Sequence, residues 1–220
     1  AATIIKQIKS AYKSNYGDNY KDSLNQALTS AGYKNLSEYR QRMIKQIQYA
    51  NFLLDYIDDH FDDVFNDYYQ QCAPKYVSLI KISVSDTSSP TDDETSKLNE
   101  VKELISNTDK SFGDIAQDYS DDSTSSKKGS LGIVDSKDTS GIANSYGKDV
   151  FNAIESLSEG QVSDVITGDN GYYFVKVTST DKKTLKKELK KTDIDSPLLA
   201  YDDYLQYVVY NSYKINYKDK

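Results

Sequence analysis

Tyr76-Val77-Ser78-Leu79-Ile80-Lys81-Ile82-Ser83-Val84 is mostly apolar and rich in β-branched residues. It follows Pro74, whose ring pushes the residue before it out of the helical region. The run predicts a strand that opens an α/β segment directly after a helical one. Beyond it, residues 86–93 form a Ser/Thr/Pro/Asp loop, and Thr91 with Glu94 makes a capping box that opens a helix with Leu98, Val101, Leu104 and Ile105 on one side. Ser111 with Asp114 starts a short helix carrying Phe112, Ile115, Ala116 and Tyr119. A polar loop over 120–128, an extended run over 131–134, a long loop over 136–147 and a helix over 150–157 closed by Gly160 follow. Strands are predicted over 162–166 and 172–178, joined by a hairpin at Gly168-Asp169-Asn170-Gly171, where Asn and Gly tolerate positive φ. The predicted order is β, α, α, β, α, β, β.

Upstream, residues 1–73 read as helices. Gly32 is the expected stop of a helix near 20–31, and Asn35 with Glu38 resembles a capping box. The helix it opens places Leu36, Tyr39, Met43, Ile47, Ala50, Leu54, Ile57 and Phe61 on one stripe at spacings of three and four, which calls for a packing partner. A third helix is expected near 62–71. Downstream, 184–191 reads as a short basic helix, and Ser196-Pro197 as a helix start leading to Leu198, Leu199, Leu205, Val208 and Val209. The expected organisation is α+β. A helical domain is formed by residues 1–74 and 181–220, and an α/β domain over 75–180, with a four-stranded, mainly antiparallel sheet, is inserted between them.

Composition narrows the function classes. The net charge of −7 argues against nucleic acid, whose phosphates need basic patches. Cys72 is the only cysteine, so no internal disulfide and no cysteine-based metal site is possible, and an inert, partly buried thiol is expected. His60, the only histidine, stands among Asp58, Asp59 and Asp62, but consecutive helical positions do not converge on one point, so no metal and no cofactor is expected. No apolar run approaches the ~20 residues of a membrane span. The chain starts inside a helical pattern, and a targeting or anchoring segment is expected to precede it. The 20 tyrosines and no tryptophan provide rings with an apolar body and a hydrogen-bonding tip.

Four runs resemble the parvulin (rotamase) domain: Phe112-Gly113-Asp114-Ile115-Ala116-Gln117-Asp118-Tyr119-Ser120, Gly129-Ser130-Leu131-Gly132, Gly160-Gln161-Val162-Ser163, and Gly171-Tyr172-Tyr173-Phe174-Val175-Lys176-Val177. The helical flanks, with Tyr16-Gly17 and the run up to Tyr69, resemble the foldase domain of PrsA-type surface proteins of Gram-positive bacteria. The resemblance implies a lipid-anchored, extracytoplasmic foldase whose partners are unfolded or newly exported polypeptides, and whose only link to a membrane is the anchor. It also implies a helical domain built from both chain ends.

Carried over residue by residue, the family's two histidines fall on Leu79 and Tyr173, and its Asp/Cys position on Asp122. Its proline-pocket leucine corresponds to Leu131 and the pocket aromatic to Val150 or Phe151, while Ser140-Gly141-Ile142-Ala143-Asn144 replaces the usual Met-Pro-Phe approach. Asp122 also reads as a solvated loop acid, and Tyr173 as a strand residue that only packs. With both imidazoles substituted, the leading expectation is a foldase or chaperone with weak or no isomerase activity. The alternatives are an active parvulin-type prolyl isomerase and a surface assembly or adhesion module, for which the helical stripe would support a homodimer.

Overall fold

In a computed structural model the described residues are 1–107, 109–190 and 196–200. The chain divides into two compact units, Ala1–Asp59 and His60–Lys220. The first holds three helices, α1 (Ala2–Tyr16), α2 (Tyr20–Ser30) and α3 (Leu36–Asp59). Gly32, at φ +81°, ends α2 as the pattern predicts. Its N–H donates to the Thr29 carbonyl and that of Tyr33 to the Leu28 carbonyl, the two bonds of a Schellman motif. Asn35 caps α3 by accepting from the Glu38 N–H at 3.0 Å, but the Glu38 carboxylate reaches back to the Lys34 N–H at 2.7 Å rather than to Asn35. The predicted stripe is buried unevenly. Of its members in α3 only Ile57 is buried, while Leu36, Tyr39, Met43, Ile47, Ala50 and Leu54 are partly covered; the buried face also takes in Leu53 and Tyr56, which lie beside the stripe. Phe61, its last member, belongs to the next helix.

The second unit begins with α4 (Phe61–Cys72), then β1 (Lys75–Ser83), α5 (Asp92–Asn107), α6 (Phe112–Tyr119), a 3-10 turn over Ser123–Lys127, β2 (Ser130–Val134), α7 (Ile142–Tyr146), α8 (Lys148–Ser156), β3 (Ile166–Gly168), β4 (Gly171–Ser179), α9 (Lys182–Leu189) and α10 (Pro197–Ala200). The four strands form one antiparallel sheet in the order β2-β1-β4-β3, as expected for an α+β fold. Side chains alternate across a strand, so β1 and β4 feed two cores. Val77, Leu79, Tyr173 and Val175 face α7 and α8, while Ile80, Ile82 and Phe174 face α5 and α6. The capping box that opens α5 closes as read, with the Glu94 N–H on Thr91 Oγ1 at 3.3 Å and the Thr91 N–H on the Glu94 carboxylate at 2.7 Å, and Ser111 caps α6 by accepting from the Asp114 N–H at 3.1 Å.

Four local expectations are corrected. The strand read over 162–166 is broken: Val162 bridges Lys176 alone, and Ser163 Oγ accepts from the Val175 N–H at 3.1 Å, so a side chain takes a place in the ladder before β3 resumes it. The 136–147 loop contains α7, because the Asp138 carboxylate caps the Ile142 and Ala143 N–H groups at 2.6 and 3.0 Å. Gly160 does not close α8. The Lys75 ammonium does, donating to the carbonyls of Ile154, Glu155 and Leu157 at 2.7–3.0 Å. In the β3–β4 hairpin no residue has positive φ. Its glycines serve close approach instead: a Cβ at Gly168 would lie 2.7 Å from the Tyr173 ring, and one at Gly171 2.6 Å from the Ile82 carbonyl oxygen.

On the two sides of the sheet segment, α4 and α9 meet. The Tyr69 hydroxyl donates to the Thr180 carbonyl at 3.0 Å, Lys186 pairs with Asp62 at 2.8 Å, and Leu185 and Leu189 are buried. Asp181, not Thr184, opens α9, accepting from the Thr184 N–H at 2.8 Å. Ser196 caps α10 as read, and Leu198 is buried, while Leu205, Val208, Val209 and Lys191 lie outside the described residues. No helix among the described residues is long and apolar enough to cross a membrane.

Gly129 holds the loop between α6 and β2 against β1. Its carbonyl accepts the Leu79 N–H at 2.8 Å, its φ is +74°, and a Cβ there would stand 2.4 Å from the Leu79 carbonyl oxygen and 2.8 Å from Ala116 Cβ. Gly129→Ala therefore combines left-handed strain with a clash against rigid backbone. It is expected to lower stability by about 3 kcal/mol, read as a drop in the urea midpoint at unchanged slope.

Candidate functional site

The candidate site is built on the sheet face that carries α7 and α8. Antiparallel register places Leu79 opposite Val175 and Lys81 opposite Tyr173. These residues alternate along their strands, so Leu79, Lys81, Tyr173 and Val175 share that face. The loop after α6 is sewn to the same strand. The Lys81 N–H donates to Ser120 Oγ at 3.0 Å, the Asp121 N–H to the Lys81 carbonyl at 2.8 Å, and the Ser83 N–H to the Asp121 carboxylate at 2.9 Å. These bonds deliver Asp122 to the rim. Its Oδ1 accepts from the Thr124 N–H at 2.9 Å and from Thr124 Oγ1 at 2.7 Å, so it caps the 3-10 turn as well as facing the site.

From the other side α7 brings Tyr146. Its hydroxyl stands 3.5 Å from Asp122 Oδ1, and its ring meets that of Tyr173 edge-on at 6.2 Å between centroids. The Tyr173 hydroxyl donates to Asn170 Oδ1 at 2.7 Å, and the Lys81 ammonium lies 5.7 Å from the Tyr173 ring centroid, within cation–π reach. Between α7–α8 and the β3–β4 hairpin opens a cleft of about 410 Å³, lined by Tyr146, Gly147, Asp149, Val150, Ile166, Asn170 and Tyr173 among others.

Burial, and then the nearby Asp122 carboxylate, push the Tyr146 hydroxyl up to about 12. Tyr173 is raised by burial first, then by Asp122 and Asp169. Both phenols are therefore neutral donors at ordinary pH. The cluster offers two phenolic O–H groups, one carboxylate and one ammonium over an aromatic face. No imidazole or thiol belongs to it. Cys72 is fully buried elsewhere, and burial followed by Asp135 pushes its thiol up to about 11, which leaves it protonated and unreactive. Among the described residues no group of three His, Cys, Asp or Glu side chains is placed to hold a metal. Such a site has no activated nucleophile. It can hydrogen-bond a carbonyl and present aromatic and apolar walls.

The structure brings the sequence-derived positions together. Leu79, Tyr173 and Val150 belong to one buried cluster, with Leu131 and Phe151 packed against it, and Asp122 joins through Tyr146. Leu79 is wholly buried and Val150 nearly so, so both act as the floor beneath the cleft rather than as contact surface. Asp122 is half-buried and hydrogen-bonded rather than freely solvated. Sequence reasoning missed Tyr146, which it left in a loop, and Lys81. The signal for Tyr146 was the spacing Asp138, Ile142, Tyr146, a capping residue followed by one helical face.

Residues 79–179 match the Rotamase family, the PPIC-type PPIase domain. Foldase protein PrsA of Staphylococcus epidermidis is 31% identical over 131 residues, covering 56% of this chain and 38% of that protein, and Foldase protein PrsA of Staphylococcus aureus matches to the same extent. The chain thus spans under two fifths of the length of the curated relatives it matches. Among solved structures, PrsA from Bacillus subtilis aligns over 100% of this chain and 78% of its own, at 23% identity and a TM-score of 0.42.

The phenols give the site a measurable signature. An unfolded tyrosine ionises near 10, whereas folded Tyr146 holds its proton to about 12. Between those values the folded state binds more protons, so this contribution to stability is intact below pH ~10 and is lost as pH rises through 12. In absorbance titration at alkaline pH, Tyr146→Phe is expected to remove one late-ionising phenol. At pH 7 it should change stability by less than ~1 kcal/mol, because its bond to Asp122 is long.

Proposed function

We propose that this chain, whose residues 79–179 match the PPIC-type rotamase family, is a protein-folding factor that binds unfolded or partly folded exported polypeptides and has little or no prolyl isomerase activity. The observation that carries the reading is the composition of the cleft floor. Where the resemblance places imidazoles, this chain has a wholly buried Leu79 and a Tyr173 whose hydroxyl is committed to Asn170. Rotation about an Xaa–Pro bond faces a barrier of ~18–20 kcal/mol. An enzyme lowers it only through contacts stronger on the twisted amide than on the planar one. A leucine offers no such contact, and a phenol already bonded within its own hairpin offers a weaker one than a free donor. What remains is a peptide-sized cleft whose walls mix Tyr146, Tyr173, Val150 and Ile166 with polar and charged groups such as Asn170, Lys148, Asp149 and Asp169, able to hydrogen-bond the backbone of an extended chain.

The PrsA relatives are named foldases, which supports the same class of activity for this chain. In this reading the protein works outside the cytoplasm, held at the cell surface by a lipid anchor. Residues 1–74 and 181–220 build one helical domain around the insert at 75–180. The packing of α9 against α4 brings together the segments just before and just after the sheet. Asp122, Tyr173 and Leu79 occupy the positions of the polar cluster, and Leu131, Val150 and Phe151 those of the proline pocket, with Tyr146 supplying an aromatic wall.

A second reading, an active isomerase with a substitute cluster, is favoured by the Asp122–Tyr146–Tyr173 array, since phenolic O–H groups can still donate to a carbonyl while the Asp122 carboxylate orients Tyr146. Two assays on one preparation separate the readings. Aggregation of thermally unfolding citrate synthase should be suppressed at stoichiometric ratio. Isomerisation of a proline tetrapeptide should run at a kcat/KM about 100-fold or more below that of a histidine-containing parvulin. Absence of protection would sink the foldase reading, and a rate within tenfold of such a parvulin would establish the isomerase instead.

A further inference from the structure

A second polar cluster lies below the cleft and takes no part in it. Asp135 is wholly buried at the end of β2. Its Oδ2 accepts from the Tyr68 hydroxyl at 2.7 Å and from Thr139 Oγ1. Its Oδ1 accepts from the N–H groups of Lys137 and Thr139 at 2.9 and 3.3 Å. A buried carboxylate is tolerated only when its oxygens are satisfied, and here both are, by four donors from two elements. A second tie runs beside the first: the Ser136 N–H donates to the carbonyl of Cys72, the last residue of α4, at 2.8 Å.

The turn that Asp135 organises leads directly into Asp138, held at φ +54° in the left-handed region. Asp138 closes the turn with its carbonyl, which accepts from the Gly141 N–H at 2.9 Å, and starts α7 with its carboxylate. A five-residue helix has no stability of its own, so its placement is set by its ends and by Ile142, which is buried in the core beneath it. At one end stands the Asp135–Asp138 turn. At the other is Tyr146, against Asp122 and Tyr173.

We propose that Asp135 is a positioning residue through which α4 sets the place of Tyr146 in the cleft, and with it the shape of the client-binding site. The inference rests on the reading of that cleft as the client site. α4 is suited to the role because its other side chains, Phe65 and Tyr69, lie against the Lys186 and Lys182 ammonium groups of α9, so one helix is in contact both with the helix after the sheet and with the turn before α7. Tyr68 contributes one hydroxyl, which burial and Asp135 keep protonated and therefore a donor.

The test uses Tyr68→Phe, which removes that hydroxyl alone, with Thr139→Val as a second variant that leaves Tyr68 in place should the first fail to fold. Ile82→Val, trimmed on the opposite face of the sheet, is the control. The readouts are the ring resonances of Tyr146 and the amide resonance of Thr124 by NMR, together with affinity for reduced, carboxymethylated α-lactalbumin as an unfolded client. Tyr68→Phe is expected to shift both sets of resonances and to weaken client binding about five- to tenfold, while Ile82→Val leaves both as in wild type. Unmoved Tyr146 and Thr124 resonances in a folded Tyr68→Phe or Thr139→Val protein would overturn the proposal, as would equal shifts in Ile82→Val. If the resonances shift but the wild type binds no client, the positioning role stands and the foldase reading fails.

Discussion

The Leu79 N–H donates to the Gly129 carbonyl at 2.8 Å while the same strand pairs with β4 through Leu79 and Val175. That contact fixes β1 between two neighbours and closes the loop after α6 onto it. Because β1 is inside the sheet and covered on both faces, its side chains are sorted into two cores with no freedom to slip, since a one-residue shift would exchange them. Gly129 permits the approach and Ala116 fills the space beside it. The bonds from Lys81 and Ser83 to residues 120 and 121 repeat the constraint further along the strand. Asp122 reaches the cleft as a consequence of how the loop is anchored, several residues away.

On that scaffold the hydrogen-bonding chemistry of the cleft is carried by two phenols rather than by an imidazole. An imidazole can donate or accept at neutral pH and can change its charge there. A phenol raised above its ordinary value keeps its charge fixed there: Tyr146 and Tyr173 stay neutral, each with one proton to donate. Tyr173 gives its proton to Asn170, and its ring lies so close over Gly168 that no Cβ fits there. The hairpin is therefore shaped to seat this tyrosine, which makes it part of the wall in addition to a hydrogen-bonding group. Tyr146 gives its proton to Asp122 over a long 3.5 Å contact. Of the two it is the donor more readily released to an incoming carbonyl.

Most of the fold was legible in the sequence because the signals were local and redundant. β1, α5 and α6 each had a boundary residue and a periodic face that agreed. The failures share a cause, which is that a distant residue supplied the end condition. α8 ends on the Lys75 ammonium, far away in sequence, so Gly160 looked like the stop. Ser163 interrupts a ladder with a side chain that no alternation pattern reveals. In the site, the positions of Asp122, Tyr173, Leu79 and Leu131 came from matching motifs. Tyr146 did not, because it lies in the stretch that departs most from the family pattern, and the short helix carrying it is held by Asp138 and the turn before it. The hairpin was found for a reason that proved wrong: its glycines make room for Tyr173 and the Ile82 carbonyl rather than for positive φ.

The two units contrast in how they treat apolar surface. In the sheet unit the cores are closed, with Val77, Leu79, Val134 and Val175 wholly buried. In the helical unit α1 buries none of its residues, and Ile4, Tyr16, Tyr49 and Phe52 are exposed at 39–53%. Two tyrosine pairs in the same unit, Tyr12 with Tyr16 and Tyr33 with Tyr39, pack on each other at 5.5 and 5.0 Å. Rings of this kind give large contact area at small entropic cost and keep a polar tip for whatever backbone they meet. A factor that must hold many unrelated chains gains more from such a surface than from one deep, specific pocket. On the proposed reading the histidine positions could then be lost from the cleft without loss of the protein's use. Binding would be distributed over the helices, and the cleft would retain only the grip on extended chain.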